Sequence, residues 1–156
     1  MRFLRAATQP AVLNAGEVEE LARKLEGACK SFPVVLLYLH GSHAHGTQGA
    51  LSDVDMAVLF DGARARDNRL YLDMLAALEQ ACGREDVDLA VLNAAGPILK
   101  SRVARSGRLI YSRSDRERVI FEASAIKEAL DFEHYSRVYD DALFRQMREG
   151  RILGGP

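Results

Sequence analysis

The sequence predicts an α+β fold of the α/β type: a small mixed β-sheet flanked by helices, with a long helical region at the C-terminal end. Three observations lead there. Short apolar runs rich in branched residues alternate with stretches whose apolar residues recur at helical spacing. The order strand, helix, strand, helix, strand gives a sheet covered by helices. Finally, a helical pattern opens at Ser114 and continues to about Arg148. At 156 residues the chain is sized for one domain with a real core, here a core of about 15–111 followed by a helical region of about 114–148.

Residues 1–13 show no clear period. Asn14 with Glu17 three positions on reads as a helix start, and Val18, Leu21, Ala22, Leu25 and Cys29 then form one apolar face until Pro33 ends the segment. The run Val34 to Leu39 is short and branched, as a buried strand is. A second strand follows Asp53 and reaches Phe60. After a polar turn around Gly62, a helix is predicted from about Asn68 to Ala81, with Gly83 as a left-handed cap. Asp86 to Leu92 is the next strand, and Pro97 sits in the first turn of a helix that Gly107 stops. Arg108 to Tyr111 is a short fourth strand.

Ser114 and Glu117 form a second capping box. Beyond it the apolar residues do not keep to one stripe: Val119, Ala123, Ile126 and Leu130 make one row, and Phe121, Ala125, Phe132, Tyr135 and Tyr139 another. A helix apolar on two sides must be covered on two sides. Either it breaks near Asp131 and folds back on the sheet, or its second face binds another protein.

Composition narrows the classes of function. Apolar residues make up 48% and charged residues 28%, ordinary for a globular protein. A net charge of −1 gives no polyanion-coating surface, so nucleic acid is not expected as a direct partner. No run of 18 apolar residues and no signal-peptide pattern is present, which makes the cytoplasm the default location and leaves a membrane without a role. Cys29 and Cys82 read as reduced core residues, and the four histidines lack partners at zinc-ligand spacing.

Chemistry concentrates between Val34 and Phe60. Gly41 can take backbone angles that other residues avoid and lets a ligand approach the main chain. Ser42 adds a hydroxyl and an N–H where phosphate oxygens can settle. Ten residues later, Asp53 and Asp55 alternate with Val54 and so point to one side of their strand. Adjacent carboxylates repel unless a cation lies between them, and oxygen ligands of this kind suit magnesium together with substrate phosphates. A solvent-facing strand start is the ordinary alternative for the two aspartates. A phosphate cradle facing a magnesium site is equipment for a nucleoside triphosphate such as ATP.

The pattern Gly-Ser, ten residues, Asp-x-Asp resembles the signature of the nucleotidyltransferase superfamily related to DNA polymerase beta, and the short chain looks most like its minimal nucleotidyltransferase (MNT) family. Four fixed positions match by chance in about one chain in five hundred of this length, so the motif is fairly specific. The resemblance implies a nucleotidyltransferase fold and a two-magnesium transfer in which Asp53, Asp55 and a third carboxylate are the metal ligands and catalytic residues. Gly41 and Ser42 would bind the triphosphate. The third carboxylate belongs on the strand after the following helix, where Asp88 is preferred because an unpaired charge inside an apolar run is costly; Asp86 shares its parity and stays in contention, and Glu85 sits with it at the strand entrance.

Many relatives resemble Phe-Gly-Ser-x-Ala-Arg-Gly at the turn, whereas this chain has His40-Gly41-Ser42-His43-Ala44-His45-Gly46. A fixed cation is thereby exchanged for His45, charged only part of the time near neutral pH. The family resemblance implies an antitoxin that transfers AMP from ATP to a tyrosine of a HEPN-domain RNase toxin and can form a hetero-oligomer with it. A small-molecule acceptor, as in aminoglycoside-modifying relatives, is a second reading; a non-catalytic antitoxin that neutralises by binding alone is a third.

Overall fold

The computed structural model describes residues 15–41, 54–83 and 85–148. Its elements follow the chain as α1 (Ala15–Ser31), β1 (Val34–Leu39), β2 (Val54–Phe60), α2 (Asn68–Cys82), β3 (Val87–Val91), α3 (Pro97–Ser106), β4 (Arg108–Ser112) and α4 (Asp115–Arg148). The four strands form one mixed sheet in the order β3-β2-β1-β4. β1 runs antiparallel to both β2 and β4, whereas β2 and β3 are parallel. A parallel pair cannot be joined by a hairpin, and α2 supplies the crossover.

Every residue of β1 is buried, which is why its sequence reads as an unbroken apolar run rather than an alternation. One face of the sheet carries Leu37, Leu39, Met56, Val58 and Leu89 against α1 and α2, whose Leu25, Cys29, Met74 and Leu78 are fully enclosed. Each leucine or methionine among them contributes about 1.5–3 kcal/mol by leaving water. The other face carries Leu36, Tyr38, Ala57 and Leu92, covered by Val103 and Leu99 of α3 and Phe121 of α4. Cys29 and Cys82 are thiols, the first buried and the second packed beside the first cluster.

Element ends follow local chemistry. The Asp67 carboxylate accepts from the Arg69 and Leu70 amides to start α2. Gly83 closes that helix at φ 65°, as its sequence position predicts. Asn93 prolongs the sheet past β3: its side chain accepts from the Phe60 N–H at 2.9 Å and donates to the Phe60 carbonyl at 2.9 Å. At the start of α4 the Glu117 N–H donates to Ser114 Oγ at 3.3 Å, while the Ser114 hydroxyl donates to the Glu117 carboxylate at 2.8 Å. The proposed cap at Asn14 and the phosphate-binding groups of Ser42 lie outside the described residues.

The C-terminal region decides between the two expected arrangements. There is no break at Asp131; α4 is one helix of 34 residues. Its N-terminal half meets the sheet through Phe121, buries Ala125 and Ala129, and is tied to α3 by the Lys100–Glu128 pair, while Tyr38 donates its hydroxyl to Glu122 at 3.0 Å. Phe121 therefore belongs to the core and not to an unpartnered face. Val119 and Leu130, from the other row, are exposed, as are Phe132, Tyr135, Val138, Tyr139, Phe144 and Met147 further along. Of the two ways to cover a second apolar face, folding back is the one the structure does not use.

Candidate active site

The functional candidates gather where β1 ends and β2 and β3 begin. In the parallel pair, Asp55 and Asp88 are register partners, so their side chains stand on the same face of neighbouring strands, about 5 Å apart at the backbone. That face is the one bearing Tyr38 and Ala57, on the α3 side of the sheet. Beside Asp55, the His40 N–H donates to the Asp55 carbonyl at 2.9 Å, which carries β1 one residue past its last ladder pair. The chain then turns at Gly41 with φ 71°. A Cβ on Gly41 would lie 2.1 Å from Asp55 Oδ2, so only glycine allows the carboxylate to rest against this turn.

Gly41, Asp55 and Asp88 are thus brought together. Ser42, Asp53, His43 and His45 lie outside the described residues. Asp86 precedes β3, where its carbonyl accepts from the Val54 N–H at 3.0 Å. Glu85, Asp86 and Asp88 are all exposed. This corrects the physical reason for preferring Asp88: solvent already accommodates its charge, so burial does not demand a metal there. Its claim rests on standing beside Asp55. Among the described residues, no group of three His, Cys, Asp or Glu side chains converges as a metal site.

His40 is half-buried at the end of β1. Burial holds its imidazole below the ordinary histidine value; the Asp55 carboxylate, the Met56 backbone and the Asp88 carboxylate pull the other way, and the Arg102 charge lowers it further. Arg102, on α3, is a residue that the sequence reading missed. Nothing in its local pattern distinguishes it from the other exposed arginines, and only the path of α3 across the sheet brings it near this end.

The four-stranded mixed sheet, its β2–α2–β3 crossover and an aspartate set against a glycine turn at the end of the two central strands form the frame of a nucleotidyltransferase of the polymerase beta type. Residues 23–116 match the family described as polymerase beta, nucleotidyltransferase, and the chain belongs to that family. It is 32% identical over 99 residues to the protein adenylyltransferase MntA of Shewanella oneidensis, a match spanning 64% of this chain and 66% of MntA, just under two thirds of that relative. A chain in a crystal structure of a toxin–antitoxin with AMP-PNP is similar at a TM-score of 0.65 and 26% identity, over 79% of this chain and 98% of that one. A chain from the complex of tri-AMPylated Shewanella oneidensis HEPN toxin with MNT antitoxin is similar in fold, at a TM-score of 0.62 and 22% identity, over 81% of this chain and 98% of that one. No described helix is long and apolar enough to cross a membrane.

Proposed function

We propose that this chain is a magnesium-dependent adenylyltransferase acting as an antitoxin, and that one domain moves AMP from ATP to a tyrosine hydroxyl of a HEPN-type RNase toxin. The observation that carries the chemistry is the register of Asp55 with Asp88 beside the Gly41 turn. Two carboxylates on adjacent strands suit a hard divalent cation held by oxygen, which is the fit expected for magnesium. Asp55 and Asp88, with Asp53 before them on the chain, are its proposed ligands, and Asp86 remains the alternative to Asp88. When bound, magnesium supplies charge neutralisation at the triphosphate and a lowered pKa for the attacking hydroxyl.

The remaining work falls to positioning. Gly41 cannot carry a side chain without striking Asp55; its amide, with the Ser42 amide and hydroxyl, would orient the β- and γ-phosphates. The acceptor oxygen attacks the α-phosphorus, the bond to pyrophosphate breaks, and the acceptor's proton leaves to a base or to water. AMP-PNP in a solved toxin–antitoxin similar to this chain supports ATP as the donor. That MntA is a protein adenylyltransferase supports a protein acceptor. The exposed Phe132, Tyr135, Tyr139 and Phe144 on α4 offer that partner an apolar surface.

Incubation of the purified protein with ATP labelled at the α-phosphate, magnesium and a HEPN-type partner tests the proposal. Label on the partner's tyrosine is expected, and it should vanish for Asp53→Asn with Asp55→Asn. Label appearing only on a small-molecule acceptor such as an aminoglycoside, or a tight complex without label, would replace this reading.

A further inference from the structure

The stretch that carries the motif is devoid of fixed positive charge: between Lys30 and Arg64 the sequence contains no lysine or arginine. A bound triphosphate would bring several negative charges to a place where Asp55 and Asp88 already stand in register. Any permanent cation must therefore arrive from an element outside the motif.

The topology delivers one. α3 starts after β3 has passed the far end of β2, where the Leu92 N–H donates to Val58, and it finishes at Gly107. The next residue, Arg108, pairs with Leu39 at the carboxylate end of the sheet. Along its length α3 therefore travels back towards Asp55 and Asp88, on the sheet face that bears them, with Leu99 and Val103 packed beneath it. Successive helical residues turn by about 100°, which sets Arg102 on one flank of the Leu99–Val103 stripe and Lys100 on the other. Lys100 is taken up by Glu128 of α4 at 3.0 Å. Arg102 occupies the flank away from α4, on the side of the edge strand β3, and is exposed there. Its charge is felt at His40 together with those of Asp55 and Asp88. Arg108 has the register of Leu39 and so the opposite sheet face, and Arg105 lies further round the helix, away from the stripe.

We infer that Arg102 is the triphosphate-positioning residue of this chain, a fixed guanidinium reaching over the Asp88 edge to the phosphates of ATP. The inference rests on the site being one for nucleotidyl transfer. Arginine suits the task, since its planar fork binds phosphate through two parallel hydrogen bonds.

Calorimetric titration of the full chain with magnesium and either a non-hydrolysable ATP analogue or AMP tests it. Against wild type, Arg102→Ala should weaken the triphosphate analogue by about 10- to 100-fold, the range for a lost charge-assisted bond, and AMP far less. Arg102→Lys should recover part of the loss. Arg105→Ala should match wild type, and circular dichroism melts should confirm that each variant is folded. Equal weakening by Arg105→Ala, or triphosphate binding by Arg102→Ala within twofold of wild type, would overturn the assignment of Arg102 while leaving the site intact. A wild-type protein that takes up neither nucleotide would remove the nucleotidyl-transfer reading and the inference with it.

Discussion

Gly41 and Asp55 are in direct apposition: the glycine turns with φ 71° so that its α-carbon lies against the aspartate's carboxylate, leaving no room for even a methyl group. The turn and the carboxylate therefore hold each other's position. Gly41→Ala meets two penalties, about 1–2 kcal/mol for a left-handed backbone and a collision with Asp55 Oδ2. The expected outcome is a lower melting temperature together with lost ATP binding. Ser42→Ala, which leaves the glycine in place, should affect nucleotide binding with a much smaller effect on melting.

Asp55 and Asp88, as register partners, repel each other without a cation between them. Asp55→Asn and Asp88→Asn should each be at least as heat-stable as wild type in the presence of a chelator. Magnesium with ATP should raise the wild-type melting temperature and leave both variants unchanged. Thermal melts with and without magnesium–ATP provide the check.

The Tyr38 hydroxyl is buried and donates to Glu122, joining the sheet to α4. Burial first, and then the bond to Glu122, push this phenol well above the ordinary tyrosine value. In a spectrophotometric titration of the five tyrosines, one should ionise only when the protein unfolds. Tyr38→Phe should remove that late step and cost about 1.5 kcal/mol in denaturant unfolding, the low end for a bond to a charged group because Glu122 is partly hydrated.

Arg113 binds Asp61 at 3.0 Å and pairs with Glu117, linking the end of β2 to the start of α4. The Arg113 guanidinium, followed by the Ser114 hydroxyl, holds the Glu117 carboxyl down at about 2, from an ordinary 4.5. A carboxylate lowered by folding stabilises the protein above the unfolded value and loses that contribution as pH falls through the folded one. Melting temperature should accordingly drop between pH 4.5 and 2, and Glu117→Gln should flatten that part of the curve. The pair is exposed, so the effect should be modest and weaken in salt.

Most of the fold was legible because its signals are local. The branched run of β1, the glycines at 83 and 107 and the Ser114–Glu117 cap each act within a few residues. Two features needed the third dimension. Whether α4 breaks at Asp131 depends on what lies beside it, and its exposed aromatic residues could not reveal that. Likewise Asp88 earns attention through its strand partner and not through the apolar run around it, while Arg102 is indistinguishable by pattern from Arg105.

From Leu130 onward α4 is exposed apart from the half-buried Ser136 and Leu143, so its C-terminal half adds little to the core. A chain ending at Leu130 keeps Ala125, Ala129 and the Glu128–Lys100 pair. It should melt within a few degrees of the full protein yet fail to form a complex with the HEPN-type partner in size-exclusion chromatography. Unfolding of the shortened chain would show that the distal helix serves stability instead.

A diffraction experiment on crystals grown with Mn²⁺ and a non-hydrolysable ATP analogue tests the proposed site most directly. The expected result is an anomalous manganese peak bonded to the Asp55 and Asp88 carboxylates and to the triphosphate, at the Gly41 turn. A well-ordered nucleotide bound elsewhere, or these two carboxylates turned apart with no metal between them, would contradict it.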